Sequence, residues 1–304
     1  MPRRVPRSYE CVLPGEARLQ PAAGPERSLT MTDSPLVLPF ADPRCRDVSL
    51  SGGKGASLAV MTGEHLPVPP GFVVTSAAFA QAVDQNALRE RTRLKDMSGA
   101  RAIVQAADPP AELIAEEYAK LSGRVAVRSS ACAEDSEGAS YAGQQETYLN
   151  VDGLDSVLAN VVDCWLSFFA DRAVFYRQEK GSLDDVAMAV VVQQMIDSRK
   201  SGVLFTADPV HGRRDRMVVE AAFGLGEHVV SGEVTPDHYV LDRSGTIKRS
   251  RVVHEPVLSQ KECAQLADLG RQLAGLHGAP QDIEWAFDAD GALFLLQSRP
   301  ITTL

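Results

Sequence analysis

Apolar positions along this chain change period several times, and each change marks an element. Over residues 155–177, Val157, Val161, Trp165, Phe168, Phe169 and Arg172 recur at helical spacing, which predicts one long helix with its aromatic residues in a core. Over residues 259–277, Leu266, Leu269, Leu273 and Leu276 form a second stripe. Ser259 and Glu262 stand there at the spacing of a capping box, and Gly278 and Pro280 supply the stop. Shorter patterns predict helices over 77–83, capped by Ser76, and over 111–121. A continuous apolar run over 186–192 predicts a central strand. Residues 202–206, 217–222, 238–241 and 247–253 predict further strands, one of them broken by Gly224-Leu225-Gly226-Glu227, where a packing bend and a ligand contact fit equally well. The segment 66–74, LPVPPGFVV, is a Pro-rich bend into a short strand, whereas residues 85–110 are polar and loosely patterned and predict no element. This mixture of helices and strands gives an α/β (α+β) class.

Three stretches carry candidate chemistry. The first, residues 125–149, reads VAVRSSACAEDSEGASYAGQQETYL. A buried strand over 125–127 leads straight into Arg128, then into a small-residue loop through Gly138, Ala139, Ser140 and Gly143, and back to strand at Thr147. Small residues let a backbone close over phosphates and direct its N–H groups at them. On composition alone, a surface hairpin with a solvated arginine fits as well. The second, 50–58, LSGGKGASL, is a Gly-rich loop entering a helix; its spacing is not that of the G-x-x-x-x-G-K-[ST] loop. Its glycines permit close backbone approach, and a helix N-terminus favours anions near Lys54. The third is the last hairpin, strands over 282–287 and 292–298 joined through Asp288-Ala289-Asp290-Gly291. If Phe287 pairs with Ala292, Glu284 lies opposite Leu295 and diagonal to Gln297, with Arg299 further along the same face. A carboxylate and an amide oxygen suit Mg²⁺, and an arginine suits phosphate.

Composition narrows the partners. With 304 residues, 44% hydrophobic and 23% charged, the chain can bury a sizeable core. Its formal net charge of −9 disfavours nucleic acid or an acidic membrane as a main partner. The five cysteines, Cys11, Cys45, Cys132, Cys164 and Cys263, stand singly and suggest neither a zinc site nor a disulfide framework. No apolar run is long enough to span a membrane, and a cytoplasmic location is expected. Residues 1–33 are rich in Arg and Pro without periodicity, which predicts a disordered extension; Met31 is a candidate true start.

The string VRSSACAEDSEGASYAGQQETYLN resembles the signature of the nucleotide-binding domain of phosphoenolpyruvate synthases, pyruvate phosphate dikinases and rifampicin phosphotransferases. GGKGASL, SGVLFTADP and IEWAFDADGALFLLQSRPIT resemble three more strings of that family, in the same order, so the resemblance covers about residues 36–304. It implies an ATP-grasp fold, with an N-terminal lobe over 34–192, a C-terminal lobe over 193–304 and Mg-ATP between them. It implies Lys54, Arg128 and Arg299 as phosphate ligands, Gly143 and Thr147 as flap positions, Gln193 as a contact near the adenine, and Glu284 and Gln297 as the metal ligands. Cys132 stands where the family usually has Thr, as a small filler rather than a reactive thiol. In the family ATP gives AMP, inorganic phosphate and a phosphohistidine, and the carrier histidine and the acceptor site fall beyond the QSRPIT string. The resemblance therefore implies the ATP half of a dikinase whose carrier histidine is on a separate polypeptide. A stand-alone kinase of an antibiotic or metabolite, and a non-catalytic nucleotide-binding module, are the competing readings.

Overall fold

The computed structural model of the protein describes residues 34–132, 146–170, 187–226 and 234–302. Residues 35–304 form one compact unit. Its strands build two sheets, and every pairing between named strands is antiparallel. The mixed α+β class predicted from the pattern is what the chain adopts.

The first sheet has five strands: β1 (Val37–Pro39), β2 (Gly71–Val74), β3 (Val125–Ala131), β4 (Thr147–Val151) and β5 (Met188–Gln194), in the order β1-β2-β5-β3-β4. The apolar run expected as a central strand is β5, in the middle of the sheet. It reads as unbroken apolar because both its faces are covered. Val190 and Val192 pack with Phe72, Val127, Phe79, Val157 and Trp165 on one side, while Ala189 and Val191 pack with Val73, Leu58 and Met61 on the other. The first side is roofed by five helices: α2 (Ser76–Ala82), α3 (Gln85–Arg93), α4 (Met97–Gln105), α5 (Ala111–Tyr118) and α6 (Leu154–Ser167). The second side carries α1 (Val48–Gly63).

The second sheet has six strands: β6 (Ser198–Phe205), β7 (Arg216–Phe223), β8 (Asp237–Asp242), β9 (Ile247–Arg251), β10 (Gln281–Asp288) and β11 (Leu293–Pro300), in the order β11-β10-β6-β7-β8-β9. Helix α7 (Gln260–His277) packs its Cys263, Leu266 and Leu273 with Leu204, Val219, Tyr239, Ile283 and Trp285. Glycines allow this closeness. A Cβ at Gly270 would lie 2.9 Å from Leu204 Cδ2, and within the sheet one at Gly202 would collide with the Glu220 carbonyl oxygen of β7. The opposite face of the sheet carries the row of directly paired residues Gln297, Glu284, Val203, Glu220 and His238.

Several elements differ from the sequence reading. Residues 85–110 contain α3 and α4, each started by an aspartate: Asp84 accepts from the Asn86 and Ala87 amides, and Asp96 from that of Gly99. Helix α2 is capped by Thr75, with Ser76 its first residue. The capping box at Ser259 and Glu262 is present, and Gly278 ends α7 with φ 64°. Leu276 faces solvent instead of completing the core stripe. Val157, Val161, Trp165, Phe168 and Phe169 are core, as their spacing predicted; Arg172 lies outside the described residues. Strand β5 runs on to Gln194, two residues beyond the apolar run. The expected extension, residues 1–33, lies outside the described residues.

Candidate functional site

The site begins with α1. Asp47 caps the first turn by accepting from the Ser49 amide, and the helix then kinks at Gly52, with φ 66° and ψ 172°. Only glycine takes that conformation without strain. The kink lays the helix directly on β3: a Cβ at Gly52 would come within 2.3 Å of Ser130 Oγ and 2.5 Å of the Ser130 carbonyl oxygen. Ser130 Oγ donates to the Ser51 carbonyl at 2.8 Å and accepts from the Gly55 amide at 3.3 Å. Lys54 is thereby held over β3, and its Nζ donates to the Ser129 carbonyl at 2.8 Å. One turn further, Ser57 Oγ donates to the Ser298 carbonyl of β11 at 2.7 Å. Helix α1 thus bridges the two sheets.

Arg128 is paired across β3 with Thr147 on one side and Val191 on the other, so these residues share the face that bears α1. Its guanidinium, only 8% exposed as a residue, reaches the second sheet. Arg128 Nη2 donates to Glu284 Oε2 at 2.8 Å and to Gln297 Oε1 at 2.6 Å, while Nη1 donates to the Leu296 carbonyl at 3.2 Å. Arg128 Nε is buried without a hydrogen-bond partner among the described residues. Two oxygens, one carboxylate and one amide, therefore converge on a single cationic nitrogen. A carboxylate and an amide oxygen are donors of the type that hard divalent cations take.

The hairpin that presents those oxygens corrects the predicted register. Phe287 pairs with Leu293, not Ala292, and a bulge beside Leu296 shifts the ladder by one between Glu284 and Trp285. Glu284 consequently faces Gln297 directly, and Leu295 points into the core on the opposite face. The bulge also turns the Leu296 carbonyl toward Arg128. Asp282, not singled out from the sequence, pairs across the ladder with Arg299 and accepts from its Nε at 2.8 Å and its Nη2 at 2.7 Å. Burial pushes the Asp282 carboxyl above the usual carboxylate range, and Arg299 offsets only part of that. The signal for Asp282 was its two-residue offset from Glu284, which places both carboxylates on one face of the strand.

Gln193 lies on the Arg128 face of the first sheet, one strand across and two residues along. It is buried, and its Nε2 finds no hydrogen-bond partner among the described residues. The structure therefore brings Arg128, Glu284 and Gln297 into direct contact and sets Thr147 beside Arg128. Lys54 is anchored on the residue after Arg128, and Arg299 lies two residues beyond Gln297 on its own aspartate. Gly143 lies outside the described residues. Cys132 is partly buried against the core, and burial pushes the Cys45 and Cys263 thiols up to about 11 and about 12. Among the described residues no helix is long and apolar enough to cross a membrane.

Residues 48–255 and 245–304 match the family model described as "Pyruvate phosphate dikinase, AMP/ATP-binding domain". The chain belongs to this family. A probable phosphoenolpyruvate synthase of Methanothermobacter thermautotrophicus is 40% identical over 85% of this chain and 45% of its own length. The phosphoenolpyruvate synthase of Pyrococcus furiosus is 36% identical over 85% of this chain and 42% of its own. The rifampicin phosphotransferase of Bacillus cereus is 36% identical over 89% of this chain and 36% of its own. The chain thus spans less than half the length of these relatives. Among solved structures, an ATP-grasp ligase PsnB covers 87% of this chain and 56% of its own at 9% identity, with a TM-score of 0.33, too low to add to the assignment. The dikinase-family membership accords with the resemblance read from the four strings.

Proposed function

We propose that this chain is the Mg-ATP-binding half of a dikinase-type phosphotransferase, with an ATP-grasp arrangement that holds the nucleotide between its two sheets. The observation that carries this reading is the convergence of Arg128 from one sheet with Glu284 and Gln297 from the other, at 2.8 and 2.6 Å. In this reading Lys54, Arg128 and Arg299 bind phosphate oxygens, Glu284 and Gln297 hold Mg²⁺, Thr147 and Gly143 belong to the phosphate flap, and Gln193 Nε2 donates to the base. Bound Mg²⁺ supplies neutralisation of phosphate charge, and the chain's own residues orient the phosphates for an in-line transfer. Asp282 holds the Arg299 guanidinium from the neighbouring strand, and α1 sets Lys54 relative to β11 through Ser57.

The β-phosphoryl group passes, in this proposal, to a carrier histidine outside residues 34–302, on a separate domain or polypeptide. His238 shares the face of Glu284 but is three strand spacings away, roughly 14 Å. His211 is held by Asp208 at 2.8 Å, and His277 is at the end of α7, which covers the other face. Phosphoenolpyruvate synthases and rifampicin phosphotransferases match the same stretch, so we place the choice of acceptor outside it.

Titration calorimetry with a non-hydrolysable ATP analogue tests the site. One Mg²⁺-dependent site is expected, strongly weakened by Arg128→Ala and by Glu284→Ala; unchanged binding in both variants refutes it. With ATP labelled in its β-phosphate, the 304-residue polypeptide alone is expected to form no stable phosphohistidine. Acid-labile, stoichiometric label on one of its own histidines refutes the separate carrier.

A further inference from the structure

Arg128 and a divalent cation claim the same two oxygens. Both Glu284 Oε2 and Gln297 Oε1 point at Arg128 Nη2, from 2.8 and 2.6 Å. A hard cation of the Mg²⁺ type lies about 2.1 Å from its oxygens. Bound to Gln297 Oε1, it would stand within about 4.7 Å of Nη2, since that nitrogen is itself 2.6 Å from the same oxygen. At that separation, in a site where the arginine is buried, a single and a double positive charge repel strongly. The two cations therefore compete for these oxygens unless a further anion comes between them.

We propose that Arg128 gates the cation site: the metal is admitted to Glu284 and Gln297 only together with a polyphosphate that draws the guanidinium away. The proposal rests on the nucleotide reading above and adds an order and a coupling to it. The geometry also shows why the clasp can open. Among the described residues Arg128 Nε is buried without a partner, so the groups of the clasp leave part of the guanidinium unsatisfied. The Nη1 bond to the Leu296 carbonyl is long, at 3.2 Å. A phosphate group can accept from the edge of the guanidinium that includes Nε, satisfying a donor the clasp leaves unused. Once Arg128 pairs with phosphate, Glu284 loses its ion-pair partner, and a cation bridging it to the same phosphate restores charge balance. Metal and polyphosphate affinities are then raised by one another by the same factor, as linkage requires.

Gating makes a prediction opposite to that of simple ligation. If Arg128 only helped to build the site, its removal would weaken every ligand. If it guards the site, its removal should improve binding of the metal alone while weakening binding of the metal–nucleotide complex. Mn²⁺ alone, followed by loss of the free-ion electron paramagnetic resonance signal, is the probe. Without nucleotide, Arg128→Met is expected to bind Mn²⁺ about tenfold more tightly than wild type, the lower end of what releasing a charged hydrogen bond is worth. It is expected to bind the Mn²⁺ complex of a non-hydrolysable ATP analogue more weakly than wild type. The Mn²⁺ gain should vanish in Arg128→Met/Glu284→Ala, which places it at Glu284. Should Arg128→Met not fold, Arg128→Lys decides. Its single ammonium keeps the charge but loses the fork, and an intermediate gain is expected. Mn²⁺ affinity equal to or weaker than wild type in the folded variant overturns the gate. A gain that survives Glu284→Ala overturns it as well. A gain that depends on Glu284, in a protein that binds no nucleotide, would keep the gate and overturn the nucleotide reading instead.

Discussion

Replacing Gly52 with alanine should both destabilise the protein and loosen Lys54. Gly52 has φ 66° and ψ 172°, in a region that costs an L-residue about 1–3 kcal/mol. The added methyl also has nowhere to go. It would lie 2.3 Å from Ser130 Oγ, 2.5 Å from the Ser130 carbonyl oxygen and 2.6 Å from its carbonyl carbon. The hydroxyl can rotate, but the other two are backbone atoms of β3, held between β4 and β5. Overpacking of this kind costs roughly 1–3 kcal/mol more, for a sum of about 2–6 kcal/mol. For a chain of this size that is a fall in melting temperature of roughly 4–12 °C. Gly275→Ala is the matched control: Gly275 lies inside α7, and a Cβ there meets nothing within 4 Å. It should gain about 0.4–1 kcal/mol. Thermal denaturation by circular dichroism measures both. Because the obstruction is largely backbone, Ser130→Ala should not rescue Gly52→Ala. A Gly52→Ala protein that melts with wild type, or rescue by Ser130→Ala, would refute the reasoning.

Two further outcomes follow from the structure. Burial pushes the His277 imidazole below its ordinary value near 6.5, and its Nε2 is buried without a partner among the described residues. The unfolded chain therefore binds more protons just below that value, so the contribution to stability is full above it and is lost as the pH falls through it. Melting temperatures between pH 7.5 and 5.5 should fall further for wild type than for His277→Gln; parallel falls would contradict this. Deleting residues 1–30 should leave the melting temperature within about 2 °C and nucleotide affinity unchanged, because that stretch carries no periodic apolar pattern; a larger drop would show the segment is docked.

Much of this was legible from side-chain period and capping residues. Strand β5 announced itself through Ala189 to Val192 because both its faces are covered, and α7 through Ser259, Glu262 and Gly278 because those groups act locally. Helices α3 and α4 were missed because they bury only Leu88, Thr92, Ala100 and Val104, too few apolar positions to set a period. Their aspartate caps were the available signal. That Glu284, Gln297 and Arg299 share one face of the last hairpin was legible, but the register was not. Nothing in Phe294-Leu295-Leu296-Gln297 marks a bulge, since no glycine or proline is there. The bulge is stabilised by a partner 168 residues away, the Arg128 guanidinium on the Leu296 carbonyl. Ser57 carried no mark of its bond to Ser298 for the same reason: the partner is distant in sequence and is a carbonyl, which every residue has.

The bond from Ser57 to the Ser298 carbonyl has a consequence for how the chain is made. Its two ends are separated by 241 residues. At ordinary translation speeds the later end leaves the ribosome roughly 12–50 s after the earlier one. Once β3 has been made, the helix bearing Lys54 can settle on it but for the rest of that interval cannot be fastened to β11. The second sheet is likewise open along the side where β10 and β11 must add, leaving β6 as an unpaired edge of the kind that templates wrong pairings. A nascent chain caught at that stage would display the Gly-rich turn and Arg128 without the carboxylate and amide that later receive the guanidinium. Final assembly of the Arg128, Glu284 and Gln297 cluster and closure of the exposed strand are thus one late event, set by synthesis of the last hairpin.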